Sequence, residues 1–311
     1  MKALSRHLEE YLELRRRLGF KLMGVRCELR KFIRFAQQEK ASFITTKLAV
    51  RWASQIDGGH PAHSTTRLSR VRRFADYLSA VDPRTEVPPQ GLLPHRYLRK
   101  TPYFYSDAQI NDLIKAARQI PSPKGLRAAT YSTLFGLLAV TGMRLGEALG
   151  LDRQDVDLDQ GVLKIRQAKF NKSRLIPIHS TAVDKLQEYQ DLRDRIFPRP
   201  RSVSFLLSEQ GTRLTGYIVR HWFIRLSGQI GLRHRSDHHG PRIHDMRHRF
   251  VIRTLRDWYQ KNADVDVHLP ELATYLGHGH VSDTYWYISA TPELLQLATK
   301  RLEAKSRRSL P

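Results

Sequence analysis

From Leu4 to Val81 apolar residues recur at helical spacing. Leu8, Leu12 and Leu18 mark a first stripe, and Leu29, Phe32, Ile33 and Phe35 a second, both at the three-to-four-residue interval of an amphipathic helix. Leu68, Val71, Ala75 and Leu78 make a later one that Ser64 is placed to cap, while Arg67, Arg70, Arg72 and Arg73 fall largely off the stripe. This predicts a small helical bundle with a cationic face. Between Asp82 and Pro102 the pattern stops, and Pro83, Pro88, Pro89, Gly91, Pro94 and Pro102 follow in quick succession. Such a stretch reads as an interdomain linker.

Helical periodicity resumes with Ser106 as N-cap and Ile110, Leu113 and Ile114 as an apolar face. Tyr131 to Val140 is an apolar run long enough for a buried helix, ended by Gly142. Gly161–Arg166 and Arg174–Ile178 read as two strands joined by a turn around Phe170, Asn171 and Lys172, with Lys169 near the tip. Leu206 to Gly231 reads as helix again, with Trp222 and Phe223 in its core face. After a loop rich in Arg and His comes a helix that puts His244, Arg247 and His248 on one side and Met246, Phe250, Leu255 and Trp258 among its apolar contacts. Leu272 and Leu276 continue a helix that stops at Gly277, and Tyr287 is expected on the next one. Thr291 as cap, Pro292 in the first turn and Glu293 beside the positive helix end predict a final helix presenting Leu294, Leu295, Ala298 and Leu302. The fold expected is mainly α with a small β-sheet, an α+β chain: a helical N-terminal domain over 1–82, a basic linker over 83–102 and a second domain over 103–311 with a C-terminal helix.

Charge narrows the partners. The 311 residues include 53 Lys and Arg against 30 Asp and Glu, a net charge of +23, far more than solubility requires. Residues 1–100 alone carry 21 basic and 9 acidic side chains, so the excess is spread along the chain. That distribution favours a nucleic acid gripped by both domains over a membrane surface, which would more often meet one amphipathic helix or tail. No apolar run is long enough to span a bilayer, and the first residues lack the apolar core of a signal peptide. The single cysteine, Cys27, can form no internal disulfide and is expected as a small core residue in a reducing cytoplasm.

The densest chemistry lies between Ile243 and Ile288, where His244, Arg247, His278, His280, Tyr285 and Tyr287 crowd together. Upstream, Arg144 and Glu147 are i, i+3 neighbours at the start of a helix, so the carboxylate can hold the guanidinium. Cationic donors, imidazoles and phenols suit work on a phosphate. The histidines do not suit a metal: the glutamate of HExxH is missing, the lone cysteine is far upstream, and the arginines would repel a divalent cation. His248 and His280 are read as DNA-contacting or supporting groups.

Set in order, Thr141-Gly142-Met143-Arg144-Leu145-Gly146-Glu147, Lys169 in the hairpin, His244-Asp245-Met246-Arg247, Leu276-Gly277-His278 and Tyr287 nine residues further on resemble the tyrosine recombinases, the lambda integrase or phage integrase family. The resemblance covers the whole second domain, and five elements in the right order are far more specific than His-x-x-Arg alone. It implies a site-specific DNA recombinase or integrase in which the two domains form a C-shaped clamp on double-stranded DNA. Arg144 and Arg247 would hold the nonbridging oxygens, His278 would donate a hydrogen bond, and Glu147 would orient. Tyr287 would be the nucleophile, His244 its proton acceptor and Lys169 the donor to the leaving oxygen. Lys172 competes with Lys169, and alignment through residues 169–174 favours the first. Tyr285 competes with Tyr287, but residues two apart on a helix point about 200° apart, and the spacing selects Tyr287. Arg67, Arg70, Arg72, Arg73, Lys172 and His280 are expected to contact DNA.

The resemblance further implies no cofactor and no metal, a homotetramer on two DNA sites, room for accessory DNA-bending or sister recombinase proteins, and a cytoplasmic, nucleoid-associated location on a mobile element's business of integration, excision or transposition. Type IB topoisomerases share the tyrosine chemistry, but the compact helical N-terminal domain argues against one. An intact set of polar residues argues against a catalytically silent DNA-binding relative.

Overall fold

The computed structural model describes residues 2–20, 22–55, 61–93, 102–166, 173–234, 236–237, 240–288 and 291–308, with backbone alone at 2, 23, 61, 62 and 304–308. The chain divides into two compact units, Met1–Lys100 and Thr101–Pro311. Among the described residues there are thirteen α-helices and one three-stranded sheet.

The first unit is built from α1 (Lys2–Arg17), α2 (Met23–Gln38), α3 (Thr46–Ser54) and α4 (Pro61–Ser79). Leu8, Leu12, Leu29, Phe32, Leu68 and Phe74 are fully buried between them, each contributing roughly 1.5–3 kcal/mol by leaving water. Thr45 caps α3 by accepting from the Leu48 amide. Three local expectations change. Ser64 lies inside α4, which starts three residues earlier at Pro61, a residue whose fixed φ and missing N–H suit a first helical turn. Leu18 is exposed because α1 ends at Arg17 and the chain turns there. Cys27 is exposed, since the buried stripe of α2 runs through Leu29, Phe32, Ile33 and Ala36 and a residue two before Leu29 faces the other way.

Residues 83–93, expected as linker, are held against this first unit. Arg72 donates to the carbonyls of Pro88 (2.6 Å) and Pro89 (2.7 Å), and the Glu86 carboxylate accepts from the Thr46 amide at 2.7 Å. The rest of the proline-rich stretch, 94–101, lies outside the described residues.

In the second unit Ser106 and Gln109 close a reciprocal capping box at the start of α5 (Asp107–Arg118). Next comes α6 (Leu126–Thr141), buried along most of its faces, in keeping with its unbroken apolar run. Then follow α7 (Leu145–Gly150), a one-turn 3-10 helix (Arg153–Asp155) and the antiparallel sheet of β1 (Val156–Asp157), β2 (Val162–Ile165) and β3 (Arg174–Pro177), in that spatial order. Leu163 pairs with Ile176, and Ile165 with Arg174. The two expected strands are present, with β1 added at the edge.

Helices α8 (Ser180–Ile196), α9 (Gly216–Gln229), α10 (Asp245–Gln260), α11 (Val265–Leu276), α12 (Ser282–Tyr285) and α13 (Pro292–Arg308) complete the unit. The helix expected from Leu206 begins only at Gly216, where Thr215 caps it. Ahead of it the chain reverses at Gly211, with φ +74°, and Leu207 pairs with Arg213. The apolar run there is too short for its period to separate strand from helix. Helix α11 starts five residues before Pro270 and runs through it. Val251, Leu255, Leu269, Leu272 and Leu294 form a second core around Tyr287. The chain is thus mainly helical with a small sheet. None of its described helices is long and apolar enough to cross a membrane.

Candidate active site

Gly142 terminates α6 at φ +61°, a left-handed conformation that favours glycine. A Cβ there would also meet the Phe250 ring at 2.6 Å. The sharp exit delivers Arg144 to the start of α7 and leaves the Gly142 carbonyl pointing at α10. The Glu147 carboxylate, one turn on, accepts from the Arg144 amide at 2.9 Å and from its Nη1 at 2.8 Å. Arg144 Nη2 donates to the Gly277 carbonyl at 3.1 Å. The same carboxylate receives Arg174 of β3 through both oxygens, at 3.1 and 2.8 Å. Burial pushes the Glu147 pKa up, but hydrogen bonds from Arg174 and then Arg144 outweigh it and hold the group below the usual carboxylate range.

Arg247 on α10 is 2% exposed. Its Nη1 donates to the Gly142 carbonyl (2.9 Å) and its Nη2 to that of Leu276 (2.8 Å). Burial, and then the positive charge of Arg144, bring its pKa down to about 10, which still leaves it charged at neutral pH. His244 precedes α10. Its ring meets that of His248 edge-on at 5.0 Å, and His248 in turn lies 5.4 Å from the Tyr287 ring. Desolvation and then Arg247 lower the His244 pKa, which favours the neutral imidazole.

The C-terminal end of α11 ties these parts together. Three successive carbonyls accept from arginines: Tyr275 from Arg174 Nε (2.7 Å), Leu276 from Arg247, and Gly277 from Arg144. The last carbonyls of a helix have no partner within it and carry its negative dipole end, so cations are favoured there. Gly277 closes the helix at φ +68° and hands the chain to His278. The His278 Nδ1 lies 2.7 Å from the buried Thr284 hydroxyl, which fixes the ring. Burial, then Arg247 and Arg144, press its pKa down to about 4.

Tyr287 stands in the turn that follows α12 rather than on a helix. Its ring is parallel to that of His278, within 6°, at 6.4 Å. Tyr287 is 3% exposed, whereas Tyr285 is 48% exposed, so the two phenols do face apart, and Tyr287 is the one beside the arginines.

Arg144, Glu147, His244, Arg247, His278 and Tyr287 are therefore gathered in one place. Lys169 and Lys172 lie outside the described residues. His280 is exposed just past the site. On the first unit, Arg67 stacks on Trp52 (3.8 Å) and donates to the Gln55 carbonyl, and Arg72 holds the prolines described above. Arg70 is half-buried and Arg73 exposed. Arg174 and Thr284 do not stand out in the sequence. Arg174 opens an ordinary-looking strand whose partners lie far along the chain, and nothing in the local pattern marks Thr284 as the partner of His278, six residues before it.

The phage integrase family model matches residues 104–293, the span that holds every one of these gathered side chains. The chain is a tyrosine recombinase of the phage integrase family. An integrase/recombinase of Sinorhizobium fredii, y4rB, is 45% identical to this recombinase over 309 residues, covering 98% of each chain. The tyrosine recombinase XerD of Yersinia pestis is 29% identical over 276 residues, 85% of this recombinase and 81% of that one. In solved structures the fold is shared by the integrase of transposon Tn1549, determined with transposon right-end DNA: TM-score 0.65 at 15% identity, covering 96% of this recombinase and 99% of that chain. As a member of this family the recombinase is a tyrosine-type, site-specific enzyme.

Proposed function

We propose that this recombinase cleaves and rejoins DNA through a 3′-phosphotyrosyl intermediate formed by Tyr287. The observation that carries the reading is the seating of Arg144 and Arg247 on neighbouring carbonyls of one helix end, with His278 next in sequence and Tyr287 beside its ring. A phosphodiester under attack gathers charge on its nonbridging oxygens, and two guanidiniums fixed in advance stabilise that charge without reorganising. His278, neutral in the free protein and oriented through Nδ1, offers Nε2 to the same oxygens.

Tyr287 attacks phosphorus in line. Its phenolic proton passes to His244, the bond from phosphorus to the 5′-oxygen breaks, and that oxygen takes a proton from Lys169. Glu147 orients Arg144. The ester preserves the energy of the broken bond, so attack by another strand's 5′-hydroxyl reverses the step without ATP or metal.

Both basic units engage double-stranded DNA, the first through Arg67, Arg70, Arg72 and Arg73, the second through the site itself together with Lys172 and His280. The assembly is a homotetramer on two sites, and the outward-facing Leu295 and Leu302 of α13 suit contact with a neighbouring protomer. The substrate is a site for integration, excision or transposition of a mobile element in the cytoplasm, a reading supported by the likeness to a transposon integrase.

The test begins by mapping covalent protein–DNA junctions on genomic DNA, then building a nicked suicide duplex on a mapped site. Tyr287→Phe should abolish covalent capture while leaving DNA binding near the wild-type level. Capture that survives in Tyr287→Phe and disappears in Tyr285→Phe overturns the assignment.

A further inference from the structure

We infer that Arg174 is a positioning residue for the phosphate-binding arginines, acting through Glu147 and through the end of α11; this rests on the phosphotyrosyl reading above. Its side chain is only 9% exposed and that of Glu147 8%. All three nitrogens of its guanidinium are engaged: Nη1 and Nη2 on the two Glu147 oxygens and Nε on the Tyr275 carbonyl. It therefore holds the protein and not the DNA.

One of the two groups it grips holds Arg144 directly, and the other adjoins the carbonyls that do. One carboxylate is shared between Arg144 and Arg174, each oxygen accepting from both residues. With Arg174 removed, Arg144 would be the sole partner of a buried carboxylate and would be drawn on to it, away from a phosphate. The carbonyl of Tyr275 immediately precedes those of Leu276 and Gly277, which accept from Arg247 and Arg144. Anchoring the first of the three keeps the other two in register.

Fit at Gly277 points the same way. A Cβ on that residue would lie 2.6 Å from Arg174 Nη1, so the guanidinium packs flat against the backbone that leads into His278. A lysine could not replace it, because one ammonium on a flexible stem cannot reproduce a planar fork that meets a carboxylate with two nitrogens and a carbonyl with a third.

The experiment measures single-turnover cleavage of the nicked duplex with an ordinary scissile phosphate and with a methylphosphonate at that position. The methylphosphonate replaces one nonbridging oxygen by a methyl group and removes the ground-state charge. On the ordinary phosphate, Arg174→Ala should slow cleavage by roughly 10- to 100-fold, somewhat less than deleting a direct donor, and Arg174→Lys should recover little of the loss. On the methylphosphonate the loss should shrink severalfold, because placement of the arginines then matters less. Both substrates meet the same protein, so a general folding defect would depress them alike. An equal loss on both substrates, no loss on the phosphate, or full recovery in Arg174→Lys overturns the inference. Failure of the wild-type protein to form any covalent adduct would instead count against the phosphotyrosyl reading.

Discussion

On the proposed reading Arg144 and Arg247 serve the same phosphate, and they do so from different surroundings, with measurable consequences. Each is expected to supply a preorganised donor, so alanine at either position should slow covalent capture by roughly 10² to 10³. Only Arg247 is sealed in, with two backbone carbonyls depending on it. Arg247→Ala should therefore also lower unfolding free energy in urea by about 1–3 kcal/mol for the stranded acceptors, while Arg144→Ala, more open to water, should cost less. Equal destabilisation in the two variants would contradict this. His278 gives a second test. Its pKa falls from 6.5 to about 4 on folding, so the unfolded chain binds its proton more tightly and stability declines as pH drops through that window. The slope for one such group is at most about 1.4 kcal/mol per pH unit. His278→Gln should flatten part of the decline in melting temperature between pH 6.5 and 4; an unchanged profile would refute it. At this scale motif spacing singles out residues that the fold then gathers, among them Tyr287, which is buried beside His278 while Tyr285 is exposed. It is silent on Arg174, whose partners Glu147 and Tyr275 lie 27 and 101 residues away.

Among the elements, α13 packs within its own unit. Leu294 is fully buried in the cluster that contains Tyr287 and residues of α10 and α11, and Arg301 reaches Asp264 at 3.6 Å. Leu294→Ala should destabilise the second unit by about 2–5 kcal/mol, whereas Leu302→Ala, on the exposed face, should be nearly silent in the same thermal melt. Reversal of that order would place the apolar face elsewhere. The start of this helix is readable because Thr291 caps it by accepting from the Leu294 amide, and capping chemistry is local. Ser106 is readable for the same reason. The strand-like bridge before α9 and the turn that carries Tyr287 are not, because what fixes them is contact with distant residues: Leu207 accepts from the Thr130 hydroxyl of α6, and Tyr287 sits in a core drawn from three helices. Local period alone cannot separate such segments from helix.

For the whole molecule, a charge of +23 makes electrostatic attraction a large contribution to DNA binding. If both units meet the DNA backbone through ~6 to 10 phosphate contacts, affinity for duplex should fall by roughly 10³ to 10⁵ between 50 and 200 mM salt. Fluorescence anisotropy on a labelled duplex checks this, and a flat profile would count against electrostatic gripping by both units. Composition points to the polyanionic partner and periodicity to a helical first unit, because both are properties of the chain averaged over many residues.

The grip of three arginines on the end of α11 also has a meaning for the timing of synthesis. Their partners are separated by 132 and 133 residues for Arg144, 101 for Arg174 and 29 for Arg247, and the tyrosine follows them all. Contacts of such range close late and together. On the reading proposed above, a nascent chain still on the ribosome, or a proteolytic fragment lacking its last sixth, carries basic surface but no assembled site. On that reading, strand cleavage waits until the end of α11 and Tyr287 have both been made.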